Sequence, residues 1–175
     1  MSRCFRILLT SAAVFIAPTI EAQPAQPAPA ADSLLNRLLG SWSMTGRVRG
    51  TAVQYRMSAT RVLAGRFVEV HMIDTARVPQ YEARVFVGAD TVSRGVLVHW
   101  LDNFGAAYSV PHGIGTVHGD TLQFLIGYND GPFRDTFVYR GPQRGWYFRL
   151  ESGDGRGTWT LFAEYEVTRL AAPAR

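Results

Sequence analysis

At 175 residues the chain has the length of one domain, and an apolar share of 47% against 18% charged residues excludes a disordered polymer. The formal charge of +4 rests on 18 basic residues, all of them arginine and none in a run, set against 14 acidic ones. Charges scattered in this way describe a solvated outer face and exclude a nucleic-acid partner.

Residues 1–22 read as a signal peptide. Arg3 and Arg6 give a positive start, residues 7–20 form an apolar stretch interrupted by Pro18, and Ala22 offers a small residue for cleavage. The run is too short and too broken for a membrane span, so the expectation is an exported chain, periplasmic or secreted, with no integral span after cleavage. Cys4 is the sole cysteine and lies in the leader. Its removal excludes disulfides, thiolate metal sites and a cysteine nucleophile from the mature protein.

Residues 23–31 are a Pro/Ala linker with nothing to bury. The domain is expected over residues 32–170, with 171–175 a tail. Asp32 reads as a helix N-cap, Leu34, Leu35, Leu38 and Leu39 share one stripe of a short helix, and Gly40 ends it. Such a helix is suited to plug one end of a barrel.

From Ser41 onward the apolar residues recur with period two. In the first such stretch, residues 41–49, Trp42, Met44, Gly46 and Val48 share a face. Strands follow over 51–63, 67–73, 81–87, 95–102, 104–110, 114–118, 121–128, 133–140 and 146–151, separated by turn residues such as Gly119-Asp120. The last strand, 158–170, sends Trp159, Leu161, Ala163, Tyr165 and Val167 one way and Thr160, Glu164, Glu166 and Thr168 the other. Phe162 breaks the pattern.

About ten strands in simple succession, with no long crossover, predict an all-β fold: a closed up-and-down antiparallel barrel with a short N-terminal helix. With an even strand number the first and last strands run antiparallel. That places Trp42 beside Arg169, a structural seam with an indole under a guanidinium.

Some stretches resemble known proteins. Residues 39–42, Leu-Gly-Ser-Trp, are similar to the Gly-x-Trp start of the lipocalin-like (calycin) barrels. Further stretches resemble the DUF1579 family of uncharacterised exported proteins. They are Gly65-Arg66-Phe67, Trp100 through Phe104, Gly131 through Arg134 with Thr136 and Phe137, then Trp146, and Trp159 with Phe162 through Tyr165. The resemblance implies a barrel related to lipocalins, fatty-acid-binding proteins and nitrobindin-like haem barrels, and it implies no activity.

The candidate ligand-binding residues are Tyr55, Met57, Tyr81, Val85, Trp100, Tyr108, Phe124, Asp135, Phe137, Phe148 and Trp159, all in the expected inward phase. A barrel of this size has more interior than side chains fill, and the tyrosine hydroxyls need partners, so the expected partner is a small hydrophobic or amphipathic molecule. Asp135, if inward, is expected to pair with Arg149 or Arg169. Two alternatives stand beside simple binding. One is a barrel-facing set of His, Asp and Tyr that ligates haem or moves protons; the other is a solid-cored interaction domain. The four histidines, His71, His99, His112 and His118, form no His-x-x-x-His pair, and no nucleophile elbow or phosphate loop appears. No catalytic residue and no metal ligand is therefore assigned.

Overall fold

The computed structural model describes residues 30–171 except 91, 94 and 111. The expected leader, most of the linker and most of the tail lie outside the described residues.

Ten strands follow one helix in chain order. The helix, α1, spans Ala30–Leu38; the strands are β1 Gly40–Val48, β2 Thr51–Val62, β3 Phe67–Asp74, β4 Glu82–Asp90, β5 Gly95–Asp102, β6 Gly113–His118, β7 Thr121–Tyr128, β8 Gly131–Tyr139, β9 Trp146–Gly153 and β10 Trp159–Arg169. Each strand pairs antiparallel with its sequence neighbour, and β1 pairs with β10, so the sheet is a closed up-and-down barrel. Closure leaves no unpaired edge.

One expected strand does not form. Residues 104–110 are a turn and a single 3-10 turn, Ala106–Tyr108, none of whose residues is buried. Gly105 and the polar turn before it interrupt the ladder, and the segment bridges β5 and β6 at the barrel rim instead. The helix also differs from expectation. It already includes Ala30 and Ala31, inside the Pro/Ala stretch, and Asp32 accepts from Arg61 at 3.0 Å. The carboxylate thus tethers α1 to β2.

The barrel has two unlike ends. At one, α1 lays Leu34, Leu35 and Leu38 against the strand ends, all three buried. Its last carbonyls, which have no partner within the helix, and that of Leu39 just beyond it are taken up by the barrel. Trp42 Nε1 donates to Leu38 O at 2.7 Å, Trp146 Nε1 to Arg37 O at 3.4 Å, and Arg169 Nη2 to Leu39 O at 2.9 Å. The plug and the seam are thus one assembly. Trp42 pairs with Arg169 in register, and the guanidinium carbon lies 4.5 Å from the indole centroid. Gly40 permits this approach: its φ is +121°, and a Cβ there would lie 2.8 Å from Arg169 Nη1.

Strand β10 carries a bulge. Leu161 pairs with Glu151 and Ala163 with Leu150, leaving Phe162 as the extra residue. Its insertion inverts the strand's phase. Ala163, Tyr165 and Val167 face inward as expected, whereas Trp159 and Leu161 face outward with Glu151. Glu164 and Glu166 take the wet face, bonded to Tyr147 and Arg140.

Candidate functional site

The end of the barrel away from α1 is hollow. A cavity of about 510 Å³ opens between the β1–β2, β3–β4, β5–β6, β7–β8 and β9–β10 connections. Its floor is Met44 with Phe137 and Phe148, whose rings stack at 3.7 Å.

On one side stand Tyr55 from β2, Tyr81 ahead of β4, Trp100 from β5 and Tyr165 from β10. The Tyr55 ring lies 5.6 Å from Tyr81 and 5.7 Å from Tyr165, and Trp100 Nε1 donates to the Tyr81 hydroxyl at 3.2 Å. On the other side Tyr128 and Phe162 each meet Phe133 edge-on, at 5.5 and 5.0 Å. Phe104 and Tyr108 complete the rim, with Phe104 5.9 Å from Tyr81. The walls are thus aromatic faces carrying a few hydroxyls.

Two carboxyl groups interrupt this surface. Asp102 stands near the rim, where its Oδ1 accepts from the Phe104 amide at 3.1 Å. Burial raises its pKa, opposed by that bond and by Trp100. Asp135 stands deeper, on β8 between Phe124 and Leu150, and is 2% exposed. Its Oδ1 is buried with no hydrogen-bond partner among the described residues. Desolvation pushes this carboxyl well above the usual carboxylate range. Burial likewise raises the phenols of Tyr81, Tyr128 and Tyr165, so they remain protonated donors at neutral pH.

The expected pairing of Asp135 with Arg149 or Arg169 does not occur. Arg149 lies on the outer face, bonded to Glu151 at 2.9 Å, and Arg169 caps α1. Each guanidinium has an acceptor of its own at the wall or the plug, and neither reaches the interior.

Of the residues expected to face a ligand, Tyr55, Tyr81, Trp100, Tyr108, Asp135, Phe137 and Phe148 line the cavity. Tyr108 does so from the rim turn and is 56% exposed, in place of an inward strand position. Met57, Val85 and Phe124 are inward but packed into the solid part of the barrel, Phe124 behind Phe137 at 5.3 Å. Trp159 is on the outer wall, where Arg134 lies over its ring at 4.3 Å. The bulge put it there. Sequence reasoning missed Tyr128, Phe133, Phe162, Phe104 and Asp102 as lining residues. The break in alternation at Phe162 was the visible trace of the bulge.

None of the four histidines lines the cavity. His71 meets Glu82 at 2.8 Å on the outside, His99 stacks obliquely on Phe67 and His112, and His112 and His118 are exposed. A haem held through an axial histidine therefore does not fit this interior. The proton-transfer set is not assembled either, since no histidine faces Asp135 and its Oδ1 has no partner. The solid-cored alternative expects a packed interior, whereas this one holds a cavity at the end away from α1.

These features define a closed ten-stranded barrel, plugged at one end and holding an aromatic cavity at the other. No protein-family model matches the chain. No curated protein matches it in sequence. Among solved structures, nine chains are similar. One is the crystal structure of Rv2717c from M. tuberculosis, with a TM-score of 0.58 and 16% identity, covering 83% of this chain and 100% of that one. At that identity the likeness establishes a shared barrel fold. No helix among the described residues is long and apolar enough to cross a membrane.

Proposed function

We propose that this protein is an exported, DUF1579-like member of the lipocalin-like barrels that holds one small apolar or amphipathic molecule and performs no chemistry on it. The observation that carries the reading is the open cavity of about 510 Å³ with aromatic walls. A space of that size lies within the range of ligand sites, and its few polar groups converge inward as such sites require. Burying an apolar ligand there removes both its own surface and exposed ring faces from water, at roughly 25 cal/mol per Å².

Native mass spectrometry of the purified protein incubated with a panel of fatty acids, long-chain alcohols and amines, quinones and haem tests this. One ligand retained per barrel, with a raised melting temperature, is the expected result. If every member of the panel leaves both mass and melting temperature unchanged, the binding reading fails. The export half of the reading has its own test. Protein recovered from outside the cytoplasm of the producing cell is expected to begin at Gln23, after removal of residues 1–22.

A further inference from the structure

The least explained group in the molecule is Asp135. A buried side-chain oxygen without a partner loses its hydration with no compensating bond and requires a reason. Packing does not supply one, because an apolar residue at this position would fill the same space against Phe124 and Leu150. The carboxyl belongs to the cavity lining, so what completes it must enter from the cavity.

The charges around it limit what can enter. The titratable groups lining the cavity are Tyr55 on β2, Tyr81 ahead of β4, Asp102 on β5, Tyr108 in the rim turn, Tyr128 on β7 and Tyr165 on β10, besides Asp135 on β8. No arginine or histidine is among the described residues lining it. Arg49, whose guanidinium lies 5.0 Å from the centroid of the Phe162 ring, is exposed in the β1–β2 turn and does not line the cavity. An anionic head group inside would face two carboxyl groups and no cation. A cationic one would face two acceptors and several aromatic rings, whose negative faces attract ammonium groups. The remaining wall is apolar and calls for an apolar remainder.

Resting on the binding reading above, we propose that the cavity selects an apolar amine, a primary or secondary alkyl- or arylamine whose nitrogen is held by Asp135 among the tyrosine and tryptophan rings. The proton is accounted for in either order of events. A neutral amine takes it from the Asp135 carboxyl; an ammonium enters as the carboxyl releases it to water. In both cases the bound pair is ammonium and carboxylate, joined by a charge-assisted hydrogen bond. No covalent bond changes. Asp102, at the rim, gives the interior the same sign of potential along the path of entry.

Calorimetric titration with three ligands of identical tail, decylamine, decanol and decanoate, tests the proposal on the wild-type protein and on Asp135→Asn. Decylamine is expected to bind about ten- to a hundredfold tighter than decanol, the range of a hydrogen bond to a charged group, with decanoate weakest. In Asp135→Asn the amine is expected to fall to the affinity of the alcohol, while the alcohol itself changes little. Thermal melting verifies that the variant is folded, and the wild-type ranking stands without it. Decanoate or decanol binding as tightly as decylamine overturns the amine and leaves a ligand-binding barrel in place. An amine preference that survives in Asp135→Asn overturns the role of Asp135. If none of the three binds, the amine proposal falls, and the wider ligand panel above decides the binding reading.

Discussion

The plugged half and the hollow half of the barrel are made from the same ten strands, yet one is solid and the other is a cavity. Ring size does not distinguish them, since both are rich in large aromatics. The plugged half fills because Trp42 and Trp146 reach across the interior and α1 adds a layer of leucines from outside the sheet. The hollow half has no such layer, and its rings stand along the walls, each against its neighbour. A barrel of this strand number is too wide for its own side chains to close. Filling it takes an additional element, and only one end has one.

This contrast can be broken first at its solid end. Trp42 is buried, caps α1 and carries Arg169, so Trp42→Ala is expected to cost about 3–5 kcal/mol, the range for large aromatic truncations in cores. Chemical denaturation reads the loss. A midpoint near wild type would mean that the plug and the seam do not depend on that indole.

The second test concerns the hollow end and its buried acid. Unfolded aspartate ionises near pH 3.9, whereas burial raises Asp135 well above that in the fold. Between these two values the folded protein keeps a proton the unfolded chain has lost. Stability therefore falls as pH rises, by at most about 1.4 kcal/mol per pH unit from this group, and levels off above the folded pKa. Asp135→Asn mimics the protonated acid and removes that slope. The variant is expected to match wild type near pH 4 and to exceed it increasingly toward neutrality, as measured by melting over a pH series. Parallel curves for the two proteins would show that Asp135 ionises normally.

The smallest effect is on the outside. Arg134 lies over Trp159 and also bonds Glu151 at 2.9 Å. A double-mutant cycle on Arg134 and Trp159 is expected to give a coupling of about 0.5–1 kcal/mol, as for exposed cation–π pairs. In a ligand titration Trp159→Ala should leave affinity unchanged, because the ring is outside the cavity. A large loss of affinity would place it inside after all.

Much of the architecture was legible in the sequence because period-two alternation reports which face a residue takes. The closed barrel follows from alternation and short connections, and the pairing of Trp42 with Arg169 from an even strand number, which the sheet reaches because 104–110 stays off the ladder. Alternation does not report height along the barrel axis. Met57 and Tyr55 share a phase on β2, yet one is in the solid half and the other lines the cavity. A bulge also resets the phase with a single residue, which is how Trp159 was misplaced. The turn at 104–110 misled for a related reason, since its aromatics mimic a strand while Gly105 and the flanking turn keep it off the ladder. The isolation of Asp135 depended on where the arginines of other strands found acceptors, information that no local pattern holds.

The pairing of β1 with β10 also bears on how the chain reaches this state. Every other ladder joins sequence neighbours and can zip from a nearby turn. This one joins residues at opposite ends of the domain, so its loop-closure entropy is the greatest in the sheet. The hairpins of the meander can form early, while the seam, with Trp42, Arg169 and the carbonyls of α1, is left to close last. Native contacts of such wide separation slow folding into the millisecond-to-second range. Until the seam closes, β1 and β10 are free edges open to pairing with other chains.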